Sequence, residues 1–326
     1  MNRRAWCRRL AWSTLGAALP LRAQPVRPLR LAWVSLDSAA DKPPVFTAFR
    51  AGMAELGYVE GRNLAIDAWW GEGSVDRLTQ LRGDILRALP EIIVAQGGVA
   101  LGPMRHASVD RPVVFSMSAD PVAAGVAASY ARPGGKLTGI TLFAAELVGK
   151  RMAMLKELVP RLRRIAVIAN PLHPGAEREL QATRAAAAIL GLDARFFPIR
   201  SVAELDAALA ETARDRLDGA VVFSDGFALG NAERIAAFSL HHRIPVVAGW
   251  APFAQRGNVL AYGPEFADVY RRLASYVDRI HRGAAPGELP IEQPTKIELV
   301  INLKTARALG LKVPRALLLR ADQVIE

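Results

Sequence analysis

The sequence predicts an α/β protein made of two lobes of one design, each a parallel sheet with helices on both faces. Three observations predict it. The chain repeats its own beginning at a fixed offset. Arg30-Leu31-Ala32-Trp33-Val34 aligns with Arg164-Ile165-Ala166-Val167-Ile168 at 134 residues, as does Leu56-Gly57 with Leu190-Gly191, and Pro112-Val113-Val114 aligns with Pro245-Val246-Val247 at 133. Regular self-similarity is a fold signature, and a period this long points to duplicated lobes rather than a solenoid. In both copies compact apolar runs alternate with helix-period stretches. Polar or small residues follow the ends of those runs, where open α/β sheets bind ligands.

The elements follow in order. Leu29–Val34 is an apolar run fit for a buried strand, and residues 35–44 form its loop. Phe46, Phe49, Met53 and Leu56 recur at helical spacing, and Gly57 can end that helix in a left-handed conformation. Leu64–Trp69 is the next strand, and Val75, Leu78, Leu81, Ile85 and Leu89 mark a helix. Ile92–Ala95 and Pro112–Ser116 are further strands, with Pro suited to a first strand position. The turn-rich segment Pro133–Leu142 reads as a crossover between the copies.

The second copy opens with the strand Ile165–Ala169 and an Ala-rich helix over Ala176–Leu190, stopped by Gly191. Ala194–Ile199 is a strand. Ser201 and Glu204 form a capping box for the helix that follows. Ala220–Phe223 is a strand, Leu229–His241 a helix and Pro245–Ala248 a strand. Gly257–Pro264 looks like a return, before a helix over Pro264–Arg282 and a Pro/Gly-rich link over Gly283–Pro294. If that helix returns to the first lobe, the chain crosses more than once, and short crossovers make a hinge.

Composition narrows the class. The chain has 326 residues, half of them hydrophobic, enough for two medium domains. Residues 1–23 read as an export signal: a basic region from Asn2 to Arg9, an uncharged apolar stretch from Leu10 to Leu21, and a cleavage-site pattern at Leu21-Arg22-Ala23. Arg8-Arg9 leaves the Sec and twin-arginine routes both open. Five arginines in this segment account for five of the net +11, leaving +6. Cys7 is the only cysteine and precedes the apolar stretch, so neither lipidation nor a disulfide is expected. The basic run Arg161-Leu162-Arg163-Arg164 lacks interleaved aromatics, and no nucleic-acid partner is expected.

Signatures of chemistry are missing. Gly134-Gly135-Lys136 resembles part of a phosphate loop, but Tyr130 and Leu137 occupy its defining positions. The five histidines show no metal-ligand spacing. No catalytic residue, metal or cofactor is expected. The candidate ligand-binding residues are those after the strands: Ser35, Asp37 and Ser38; Gln96, Gly97 and Gly98; Ser118 and Asp120; Asn170; Asp225; Trp250; and, farther on, Tyr262. Each has a plainer use. Asp120 can cap a helix, Asn170 can form a turn, Gly97-Gly98 can permit close packing, and Trp250 and Tyr262 can be core. Asp120 or Asp225 suits an ammonium group, and Trp250 or Tyr262 an apolar or cationic side chain.

Several segments resemble those of the substrate-binding proteins of ABC transporters, of the tryptophan- and tyrosine-binding type. They are Glu55-Leu56-Gly57-Tyr58-Val59-Glu60-Gly61-Arg62-Asn63, Asp120-Pro121, Ala131–Gly139, Leu158-Val159-Pro160, Tyr262-Gly263-Pro264, Glu292–Lys296, Val300–Ala306 and Arg320–Glu326. The resemblance implies a type I periplasmic-binding fold: two Rossmann-like lobes joined by a three-crossover hinge. It places lobe I at 28–137 plus about 263–293 and lobe II at 138–262 plus about 294–326. It implies a periplasmic protein that closes on an amino acid or similar small molecule and delivers it to an ABC permease with its ATPase subunit, touching the membrane only through that partner. The cleft loops depart from the family's usual residues at Ser35–Ala40, Gln96–Val99 and Asp225-Gly226, so an aromatic amino acid is not to be assumed. A bilobal enzyme and a ligand sensor for a receptor remain the rival readings.

Overall fold

The structure, a computed structural model, describes residues 27–41, 44–105, 111–142, 144–173 and 175–326. The expected export signal lies outside them.

The first sheet holds β1 (Leu29–Ser35), β2 (Leu64–Trp70), β3 (Ile92–Gln96), β4 (Val113–Met117) and β5 (Leu137–Thr141), all parallel, in the order β2-β1-β3-β4-β5. The second holds β6 (Arg164–Ala169), β7 (Asp193–Pro198), β8 (Gly219–Val222), β9 (Val246–Ala248), β10 (Leu260–Pro264), β11 (Ile297–Asn302) and β12 (Gln323–Ile325), in the order β12-β11-β10-β9-β8-β6-β7. From β7 to β10 its order reproduces that of the first sheet strand for strand, so the sequence repeat is a repeat of topology. The antiparallel β10–β11 pair then extends only the second sheet.

Helices α1 (Pro44–Glu55), α2 (Val75–Arg87) and α3 (Gly97–Met104) belong to the first sheet. The second carries α4 (Ala144–Leu158), α5 (Ala176–Leu190), α6 (Val202–Arg214), α7 (Gly226–Gly230), α8 (Ala232–His242) and α9 (Ala251–Gln255). Helix α10 (Phe266–His281) leaves β10 and returns to α1. The two helices meet closely because Gly52 has no side chain: a Cβ there would stand 2.8 Å from Arg271 Cα. Tyr58 Oη seals the contact by donating to Asp278 Oδ1 at 2.9 Å. Short helices α11 (Leu303–Ala308) and α12 (Arg315–Arg320) complete the chain.

Two elements differ from the sequence reading. Residues 133–142, expected to be a crossover, contain β5, the edge strand of the first sheet. The expected lobe boundary at 137/138 therefore falls at its first residue, and the sheet pairing extends the first lobe through Thr141. Gly139 lets β5 approach β4: a Cβ there would lie 1.9 Å from Phe115 O. The helix expected over Leu229–His241 is two helices, α7 and α8, parted at Gly230-Asn231.

The chain passes between the sheets three times: after β5, after β10 and before β11. Between the last two passes it follows the outer edge of the first sheet, where Thr141 N donates to Glu292 O at 3.0 Å and Glu292 N to Gly139 O at 3.1 Å. Because β10 stays in the second sheet through Pro264, the first lobe's returning segment, expected from about 263, starts with α10 just past it.

Candidate functional site

The carboxyl ends of β1, β3 and β4 face those of β6, β8 and β9 across a cavity of about 460 Å³. Both lobes contribute. Asp37 follows β1, Gln96, Gly97 and Gly98 join β3 to α3, and Ser118 follows β4. From the second lobe come His173, Asp225 and Gly226, and Trp250 at the start of α9. The hinge supplies Leu142, Glu265, Phe266 and Glu298.

The first-lobe wall is braced from behind. Buried Ser35 accepts from Asp37 N through Oγ at 2.9 Å, fixing the turn after β1. Gln96 Nε2 donates to Asp37 Oδ2 at 2.7 Å, linking the β1 and β3 loops. Gly97 enters α3 with φ +82°, a conformation that favours glycine, and its N–H donates to Ser116 Oγ at 3.3 Å. Ser116 Oγ is also hydrogen-bonded to Tyr270 Oη at 2.8 Å, tying α10 to this wall.

The second-lobe wall is built on charge. Asp225 Oδ1 caps α7 by accepting from Ala228 N at 2.7 Å, while its Oδ2 is buried without a hydrogen-bond partner. Ser224 Oγ accepts from Gly249 N at 2.7 Å, holding the β8 and β9 ends together. Behind Gly249 lies buried Arg151 of α4, which donates to Glu179 Oε1 of α5 at 3.1 Å and to Tyr262 O at 2.9 Å. A Cβ at Gly249 would strike that guanidinium at 2.6 Å, so only glycine fits over it. Burial raises the Glu179 carboxyl to about 7, against the pull of Arg151. Burial also lowers the His173 pKa despite the neighbouring Asp225, and its Nδ1 accepts from Gly175 N at 3.2 Å, so the ring is neutral.

Aromatic rings close the hinge side. Trp250 stacks near Phe266 with centroids 4.9 Å apart, and Phe266 meets the edge of Tyr270 at 6.0 Å. Glu298, half-buried on β11, is pushed up to about 7 by burial and by Glu265 and Asp322.

Five of the sequence-selected residues stand off the cavity. Ser35 braces it as described. Ser38 Oγ accepts from Ala40 N at 3.2 Å within its own loop. Asn170 Oδ1 accepts from Leu172 N at 3.0 Å, a side-chain turn. Tyr262 packs against the second lobe's core. Asp120 caps the segment after it, accepting from Val122 N at 2.9 Å and Ala123 N at 3.2 Å, and pairs with Arg178 of the opposite lobe. Beside that pair, a Cβ on Gly175 would lie 2.9 Å from Ala119 Cα, and Leu36 approaches Gly226 across the cavity. The lobes are therefore in contact around the cavity.

Sequence reading missed the apolar and hinge-side lining. Leu36, Val45, Leu142 and Leu229 carry no polar signal. Phe266 and Tyr270 do carry one: they are spaced by four on α10, directly after the Tyr262-Gly263-Pro264 segment. Glu298 becomes visible only through the β10–β11 pairing, which sets it opposite Gly263. Among the described residues no group of three His, Cys, Asp or Glu is placed to hold a metal, and no helix is long and apolar enough to cross a membrane.

A family model described as ABC transporter substrate binding protein matches residues 35–325, and the chain belongs to that family. Among solved structures, it is similar to an ABC domain in complex with L-Trp from Streptococcus pneumonia, with a TM-score of 0.85 at 19% identity over 91% of this chain and 100% of that one. A conserved domain protein from Vibrio cholerae overlays with a TM-score of 0.83 at 23% identity, over 92% and 99% of the two chains. A tyrosine-binding protein of Clostridioides difficile is 19% identical over 81% of this chain and 76% of its own length. The family is one of substrate-binding proteins and not of enzymes.

Proposed function

We propose that this chain is the periplasmic capture component of an ABC importer: it closes its lobes on one small, amino-acid-like molecule and delivers it to a permease with its ATPase subunit. The observation that carries this reading is the cavity itself, enclosed by both lobes at the strand ends and lined by polar, acidic and aromatic side chains. About 460 Å³ lies in the range of roughly 300–1,000 Å³ typical of small-molecule sites and is too little for a folded partner. The mixture of aromatic cover and a few polar groups suits a molecule with an apolar body and a polar head. The relatives described as binding L-Trp and tyrosine support an amino-acid-like ligand.

Closure follows from differential affinity. A ligand that touches Asp37 and Asp225 at once binds only when the lobes meet, so it shifts the population toward the closed form. Asp37, Gln96, Gly97, Gly98, Ser118, Asp225 and Trp250 are the ligand-contacting candidates that line the cavity. The Gly226→Trp variant tests the reading: an indole placed in the cavity should abolish capture of any small molecule while the protein remains folded. Undiminished binding by that variant would place the site elsewhere.

A further inference from the structure

The cavity is unbalanced in charge, and that imbalance selects the ligand. This inference rests on the capture reading above and concerns which molecules the site takes. Four carboxylates line the cavity: Asp37, Asp225, Glu265 and Glu298. The cations among the described residues offset them only in part. Arg256 lines the cavity at its exposed rim and donates to Leu229 O at 2.7 Å. Arg151 lies behind Gly249 and is engaged by Glu179 and Tyr262. His173 is neutral. Lys296, 3.5 Å from Glu265, offsets that one carboxylate and leaves Asp37 and Asp225.

An ionised carboxylate only accepts, so the Gln96 amide must turn its NH₂ to Asp37 and its Oε1 away. That Oε1 is buried with no partner, as is Asp225 Oδ2. Both oxygens lie within the walls, one in each lobe, shielded from the cavity surface. The two loops are neighbours: Leu36, beside Asp37, comes within 3.7 Å of where a Cβ on Gly226, beside Asp225, would stand. A zwitterion would add a carboxylate, which here would find Ser118, the neutral His173 ring and backbone N–H groups but no buried cation.

We propose that the ligand carries a net positive charge on an ammonium or guanidinium group, which binds between the Asp37 and Asp225 loops. Its apolar body lies against Trp250, Phe266 and Tyr270, whose ring faces themselves attract cations. Glu298, crowded by Glu265 and Asp322, gains from the same charge.

Calorimetry on matched probes tests this. Tryptamine, L-tryptophan and indole-3-propionate share a ring and differ in charge; isopentylamine, L-leucine and 4-methylpentanoate do so on an aliphatic body; agmatine adds a guanidinium head. The expected result is that a cationic member binds at least tenfold tighter than its zwitterionic and anionic counterparts. D37N and D225N, which keep the size and the accepting oxygen, should each weaken it at least tenfold with the thermal midpoint of the unliganded protein unchanged. Tighter binding of a zwitterion or an acid overturns the charge selection and leaves capture intact. If no probe binds, native mass spectrometry of the purified protein decides: a retained basic molecule supports the proposal, a neutral or acidic one overturns it, and none, even after exposure to a metabolite extract, removes the capture reading as well.

Discussion

Asp225 illustrates how one side chain can serve the fold and also stand in the cavity wall. Its Oδ1 is spent on α7, its Oδ2 on nothing in the protein. The sequence showed an acid after a strand and before a glycine, which fits a cap or a ligand contact; the geometry shows the cap and places the residue in the cavity wall. Asp120 reads the same way in sequence, yet its oxygens are taken by backbone N–H groups and Arg178. Glycines separate similarly. At Gly139 a Cβ would meet Phe115 O at 1.9 Å, whereas nothing lies within 4 Å of one at Gly191, the left-handed cap of α5 with φ +62°. Gly139→Ala should cost about 3 kcal/mol or more by overpacking, and Gly191→Ala only about 1–2 kcal/mol for its backbone conformation, measured by urea denaturation. Glu298 gives a pH prediction. Its folded value of about 7 lies above its ordinary 4.5, so the folded protein holds that proton longer than the unfolded chain. Its contribution is most favourable below pH 4.5, declines as pH rises through about 7 and is level above that. Thermal midpoints of Glu298→Gln should show a smaller fall between pH 5 and 8 than those of the parent protein.

Elements were legible where the apolar period was long and the punctuation chemical. The helix opened by Ser201 begins as expected: Ser201 Oγ accepts from Glu204 N at 3.2 Å. The return bond differs in detail, because Glu204 Oε2 accepts from Arg200 N at 2.7 Å. Strand β5 was not legible, since it is a short segment directly following turn residues and its partner is distant in sequence. The Arg151–Glu179 pair was also hidden: it joins α4 to α5 under the cavity wall, and sequence shows only two ordinary helical charges. Both side chains are buried, so removing one leaves an uncompensated ion. Glu179→Ala should cost about 3–5 kcal/mol, while the double variant Arg151→Met with Glu179→Leu should cost much less than the two single losses combined. Chemical denaturation of the single and double variants checks this, and additive losses would show that the pair acts as two separate groups.

At the scale of the whole molecule, the repeat at 134 residues became two sheets of matching strand order, with the polar strand ends of both turned on one cavity. The duplication was readable because apolar strands and helix stops recur in register. The cavity's lining was not, because its hinge-side half comes from the start of α10 and from β11, and β11 has no counterpart in the first copy. The same three-pass connection has the geometry of a hinge, which closure on a ligand would use. Arg178 reaches across to Asp120 and is half-exposed, so the pair contributes at most about 1 kcal/mol to the closed arrangement. Arg178→Ala should therefore weaken ligand affinity by no more than about fivefold and leave the unfolding midpoint nearly unchanged. A loss of a hundredfold would mean that this pair, and not the ligand, holds the lobes together.

The central claim is that one small molecule is enclosed between the lobes. Native mass spectrometry of the protein purified from its native cell tests this most directly. The account predicts a one-to-one complex with a small molecule, released on denaturation and missing from Gly226→Trp. A protein that carries nothing as purified, and still carries nothing after incubation with an extract of small metabolites, would contradict it.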